Sequence, residues 1–277
     1  VLAFSLIPTL ILVGFVLYSD RKNKEPVRNI VICLLSGILS VALSGYLEQL
    51  VMPYIGNNTI LTYIFAFIEE ISKMAIFFLF VFDNKYYDDM YDGLVYMMLI
   101  ALSFAGLENV MYAFSESTIQ ESISLSIMRD ITTIPLHVIC GIIIGYFLSL
   151  SNFSKDKERK YINILLALLL SGALHGTFNS LMNLLGSLNI NYDSSVQVIL
   201  FEALPLILIM IALFIIAIKL INKNKKLNKI YVENEDYNEK YKYLMTYNEY
   251  LNSNDRRRRI DTYNKISIKE KITKEEN

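Results

Sequence analysis

Apolar residues fall into seven blocks, at 2–18, 30–51, 60–82, 93–114, 127–150, 162–185 and 196–221, separated by short polar stretches. About 20 such residues, rising about 1.5 Å each, cover a hydrocarbon core of about 30 Å. No water is available there to satisfy backbone amides and carbonyls, so each block must be helical. The pattern therefore predicts an all-α fold, a polytopic membrane bundle of about seven transmembrane helices.

Charge adds an orientation. The polar stretches 20–29 (Arg21, Lys22, Lys24, Arg28), 83–92 (Lys85) and 152–161 (Lys155, Lys157, Arg159, Lys160) carry Lys or Arg, whereas 52–59, 115–126 and 186–195 carry none. The positive-inside bias then predicts a multi-pass protein of the cell membrane with its N-terminus outside and its C-terminus in the cytoplasm. The first block lacks a basic lead-in and reads as a spanning anchor rather than a cleavable leader.

Composition agrees: 277 residues with 54% hydrophobic content and a mean hydropathy of +0.39 are too apolar for a soluble domain of this size. The formal net charge of −1 averages away a strong segregation along the chain. Cys33 and Cys140, the only cysteines, lie inside apolar blocks and read as small buried hydrophobes rather than a disulfide. No repeat, zinc-finger spacing or phosphate-cradling glycine loop is evident, and no nucleic-acid partner is expected. The polar segment 222–277, with Arg256 to Arg259, reads as a cytoplasmic tail, partly helical or disordered, with anionic lipid or a partner as a candidate contact.

Four blocks contain polar residues that are costly in a membrane, about 2.5–3.5 kcal/mol for each charge on insertion scales. They are Glu69, Glu70 and Lys73 in the third, Glu108 and Asn109 in the fourth, His137 in the fifth, and His175 and Asn179 in the sixth. Residues four apart share a helix face, which joins Glu69 to Lys73, Phe104 to Glu108, His137 to Gly141 and His175 to Asn179. Gly141, Gly172 and Gly176 remove bulk beside the two histidines, and Pro135 is expected to bend the fifth helix. Counted inward from the predicted outer ends, the polar groups lie roughly 9–15 Å deep, so one cavity open to the outer face would collect them.

Carboxylates and imidazoles around a wet pocket activate water in two ways, and the residues alone leave both open. His137, His175 and Glu108 would hold a divalent metal such as zinc. Without metal, a buried glutamate takes the proton of water while His175 and Asn179 hydrogen-bond the developing oxyanion, with Lys73 as counter-charge. Tyr91-Asp92 is read as helix-start chemistry, Ser171 and Cys140 are weak candidate nucleophiles, and Glu48 and Glu202 are placed at solvated outer ends. A proton- or cation-coupled transporter using the same cluster is a rival, opposed by the apolar runs 74–81 and 95–102. A catalytically inactive receptor or immunity protein is another.

Taken in series, Glu69-Glu70-Ile71-Ser72-Lys73, Phe104 to Glu108-Asn109, His137 to Gly141 and His175 to Asn179 resemble the PrsW family of intramembrane proteases. That family is related to the prenyl-protein-processing and bacteriocin-immunity membrane peptidases. The loop Asp20 to Lys24-Glu25-Pro26 is also similar. The resemblance implies a transmembrane peptidase domain over 1–221 and a polar tail over 222–277. It further implies cleavage of a membrane-anchored regulatory protein, such as an anti-sigma factor, near its extracytoplasmic boundary. Glu69 and Glu70 would be catalytic, Glu108, His137 and His175 would complete the site, and Asn109 and Asn179 would stabilise or orient.

Overall fold

The structure, a computed structural model, describes residues 1–21, 24–55, 59–84, 86–154, 156–187 and 196–233. Their regular elements are helices: α1 (Leu2–Ser19), α2 (Val27–Val51), α3 (Thr59–Phe80), α4 (Met90–Ser115), α5 (Ile119–Ile131), α6 (Thr133–Asn152), α7 (Lys157–Ser187) and α8 (Val196–Glu233), with a 3-10 turn at Met52–Tyr54. All seven predicted blocks fall on helices. Among the described residues six stretches are long and apolar enough to cross a membrane. α3, with 22 residues, has the length as well but carries Glu69, Glu70 and Lys73.

The centre is α4, buried continuously from Met90 to Leu102 and, after Asp92 in its first turn, apolar on every side apart from the Tyr96 hydroxyl, as a helix enclosed by others must be. It packs against α1, α2, α5 and α6, while α3 lies between α2 and α7. Two glycines set the α4–α6 spacing. A Cβ on Gly141 would stand 2.9 Å from the Met97 carbonyl oxygen, and one on Gly145 2.5 Å from that of Gly93, so the backbones touch. The predicted role of Gly141 is thus observed. Gly172 and Gly176 instead receive the rings of Phe67 and Tyr63 from α3.

Two features depart from the sequence reading, and the bend expected from Pro135 is found between them. The stretch 115–126, expected as an outer loop, is mostly α5: Thr118 caps Glu121 and Glu121 returns the bond to the Thr118 amide, a capping box hidden in polar sequence. At 13 residues α5 is too short to span. With α6 it forms one 34-residue stretch, Ile119–Asn152, broken at Thr132. Pro135 is the cause, since it has no N–H for the Ile131 carbonyl, and the break falls three residues ahead of it. Finally α8 continues beyond residue 221 to Glu233, where Asn228 accepts from the Met90 amide at 2.8 Å and Asn224 donates to the Met90 carbonyl at 3.1 Å. The rest of the predicted tail, including Arg256 to Arg259, and the Glu202 side chain lie outside the described residues.

At the opposite end from the predicted outer loops, Asp89 and Asp92 form the α4 capping box, as expected for helix-start chemistry. Cys33 and Cys140 are free and buried.

Because Gly145 meets only backbone, Gly145→Ala should lower the thermal midpoint by several degrees, the consequence of about 1–3 kcal/mol of overpacking. Gly14→Ala, with nothing within 4 Å of the added carbon, should not. Equal midpoints for both variants in a detergent melt would contradict the close α4–α6 contact.

Candidate active site

The polar groups of α3, α4, α6 and α7 meet in one cluster. Lys73 Nζ donates to Glu70 Oε1 at 2.8 Å and to His137 Nδ1 at 3.0 Å, and sits 4.1 Å over the Phe104 ring. Glu70 Oε1 also accepts from His175 Nδ1 at 2.8 Å. The two imidazoles stand edge to face, centroids 4.8 Å apart. His137 Nε2 lies 3.1 Å from Glu108 Oε2, which Arg129 Nη2 reaches at 2.8 Å from α5. Apart from Glu108 and Arg129, these charged and imidazole groups are almost fully enclosed: Glu70, Lys73 and His137 are 0% exposed and His175 is 1%.

Proton positions follow from this wiring. An ammonium only donates, so His137 Nδ1 accepts from Lys73 and the ring hydrogen rests on Nε2, facing Glu108. Glu70 accepts, so the His175 hydrogen is on Nδ1 and the lone pair of Nε2 is free. That nitrogen faces Glu69 Oε2 at 3.8 Å, a buried oxygen without a hydrogen-bond partner. Glu70 has Lys73 and Glu108 has Arg129, each at 2.8 Å, whereas the nearest cation to Glu69 is Lys73 at 3.9 Å.

A cavity of about 630 Å³ opens beside Glu69, His137 and His175 and reaches the exposed residues Ser115 and Asn183. Its upper walls come from the ends of α2, α4 and α7 and the start of α3, all at the end of the bundle whose loops lack Lys and Arg. Glu108 and Asn179 line it; Glu70 and Lys73 stand behind. Below the cluster, Phe77 and Leu94 to Leu102 are buried and apolar apart from the Tyr96 hydroxyl. These stretches of α3 and α4 thus carry no ionisable side chain other than Tyr96 to continue the cluster toward the other end, as a transporter's relay would require.

Some expectations change. Asn109 turns away from the cavity, donating to Asp130 Oδ1 of α5 at 3.0 Å and the Ser5 carbonyl of α1 at 3.3 Å. Glu48 lines the cavity rather than a solvated rim. Arg129 was not singled out from the sequence; the signal was a cation at the edge of an apolar block, in Ile127-Met128-Arg129-Asp130-Ile131. Ser171 donates to the Ala167 carbonyl and the Cys140 thiol to the Ser171 carbonyl, so both serve helix packing.

For a divalent ion the donor set is suitable. Ligand atoms of Glu69, Glu70, His137 and His175 lie within 4.8 Å of one another, which brings in Glu69 and Glu70 where the sequence named Glu108. The orphaned Glu69 oxygen and the free His175 Nε2 already face each other, and Glu70 orients the His175 ring from behind, as carboxylates do for metal-bound histidines.

Fold and site together define a polytopic helical membrane protein with a hydrolase-type carboxylate–imidazole cluster at the foot of a cavity. Residues 25–216 match the family described as PrsW family intramembrane metalloprotease. The chain is 29% identical over 184 residues to Protease PrsW of Clostridioides difficile (strain 630), covering 64% of this chain and 77% of that protein. It is 28% identical over 185 residues to Protease PrsW of Oceanobacillus iheyensis, covering 66% and 82%. For Protease PrsW of Bacillus subtilis (strain 168) the identity is 25% over 191 residues, covering 68% and 84%. No solved structure matches. The chain belongs to the PrsW family of intramembrane proteases and is a peptidase.

Breaking a buried ion pair from one side leaves a bare charge and costs about 3–5 kcal/mol. Lys73→Met should therefore lower thermal stability sharply, and Lys73→Met with Glu70→Gln should recover part of the loss. A single variant as stable as the parent would show that the ammonium does not compensate Glu70.

Proposed function

We propose that this protease hydrolyses a peptide bond of a membrane-anchored regulatory protein, anti-sigma-factor-like, near its extracytoplasmic boundary. The observation that carries the reading is the facing pair Glu69 Oε2 and His175 Nε2, 3.8 Å apart at the foot of the cavity. A water beside them donates its hydrogens to both and presents its oxygen lone pair to a substrate carbonyl carbon. Glu69 takes a proton as the C–O bond forms, and returns it to the amine nitrogen as the C–N bond breaks. Glu70 holds His175 in the required tautomer, and Lys73 fixes Glu70. Asn179, on the cavity wall, has amide hydrogens to offer the developing oxyanion.

His175 Nε2 and Glu69 Oε2 would hold a divalent ion such as zinc, with His137 as third donor through Nε2 only in the tautomer that carries its hydrogen on Nδ1, and the ion would supply Lewis-acid polarisation of the carbonyl. The metal-free route uses the same residues. Placement follows from the loops: the cavity opens toward the ends without Lys or Arg, which the positive-inside bias assigns to the exterior. The N-terminus then lies outside, the C-terminus in the cytoplasm, and residues 1–221 act as the peptidase domain in contact with bilayer lipid.

In a reconstituted cleavage assay with folding verified, Glu69→Gln, Glu70→Gln and His175→Ala should each lower turnover by about 100-fold or more. Full activity in all three would end the reading. Elemental analysis should find about one divalent ion per chain, lost in His175→Ala. Full turnover by protein without metal would leave the glutamate route.

A further inference from the structure

Glu108 and Asn109 are consecutive on α4, and Arg129 and Asp130 are consecutive on α5. The two pairs bond across the interface in register, Arg129 Nη2 to Glu108 Oε2 at 2.8 Å and Asn109 Nδ2 to Asp130 Oδ1 at 3.0 Å. One turn along α4, the Tyr112 ring lies 4.1 Å under the guanidinium. Ser5 of α1 joins the same junction: its carbonyl accepts from Asn109 at 3.3 Å and its hydroxyl meets that of Ser126 at 2.9 Å. The C-terminal half of α5 is thus fastened to two helices immediately before the break at Thr132 that frees α6 to bring in His137.

The Glu108 oxygen that receives Arg129 is the same one that faces His137 Nε2 at 3.1 Å. A glutamate bordering a cavity of about 630 Å³ has room to swing away unless something holds it. Arg129 is 8% exposed and carries an Nε without a hydrogen-bond partner, so this cation is committed to the interior. We infer that Arg129 is a positioning residue for the hydrolytic reaction: it aims Glu108 at His137, and the adjoining Asn109–Asp130 bond holds the two helices in the register this requires. The inference rests on Glu108 belonging to the site. It requires arginine more than lysine, because a planar guanidinium stacks on Tyr112 while donating in its own plane.

The test uses the full chain in lipid with a cleavable membrane-anchored substrate. Arg129→Gln should lower kcat by about 10- to 100-fold, as small misplacements in active sites do, with KM within about twofold of the parent. Arg129→Lys should recover part of the loss. In a Glu108→Asp background, whose shortened carboxylate no longer spans both partners, Arg129→Gln should cost much less than in the parent. Unchanged kcat in Arg129→Gln, or an equal factor lost in both backgrounds, overturns the inference. Should Arg129→Gln fail to fold, Arg129→Lys decides, and full kcat there overturns it as well. Full activity of Glu108→Gln would instead remove Glu108 from the site, a failure of the underlying reading that is visible without any change at Arg129.

Discussion

The site depends on one buried ammonium. Lys73 is fully enclosed among helices and bonds at once to Glu70 of its own helix and His137 of α6, with the face of Phe104 from α4 beneath it. A charge so placed is tolerated only when paired and hydrogen-bonded, and here the pairing also fixes the two imidazoles. Through Glu70 the ammonium sets the tautomer of His175, and directly it sets that of His137. One interaction thereby leaves His175 Nε2 with a free lone pair facing Glu69 Oε2, and both residues border the cavity.

The frame serves that arrangement. Helices pack closely in a membrane where small residues let backbones touch, and Gly141 and Gly145 bring α6 onto α4. That contact puts His137 within reach of Glu108. The break at Thr132 then lets the chain above His137 lean toward α1 and α4 as α5, leaving a cavity whose walls reach the end of the bundle. The short α5 is thus part of the site's wall and the source of Arg129.

Much of this was legible because ionisable residues in apolar blocks announce themselves by their cost. Glu69, Glu70, Lys73, Glu108, His137 and His175 were all found that way, and they meet in one cluster. What sequence spacing could not settle was which of two adjacent polar residues faces the cavity. Neighbours on a helix point about 100° apart, so of Glu108 and Asn109, and of Glu69 and Glu70, one turns further from the cavity than the other. Glu108 and Glu69 line the cavity, while Asn109 turns to α5 and Glu70 to the histidines behind. α5 escaped notice because polar residues in a helix that packs along one stripe, at Ser122, Ser126 and Arg129, look like a loop when only apolar runs are counted.

The most direct measurement exploits the presence of only two histidines in the chain. In protein carrying 15N-labelled histidine and lysine, studied in lipid bilayers by solid-state NMR, a through-space contact should join Lys73 Nζ to an unprotonated His137 Nδ1 about 3.0 Å away. The second ring should show its hydrogen on Nδ1. Two imidazoles with no lysine contact, or a protonated His137 Nδ1, would contradict the convergence of these helices on one shared cluster.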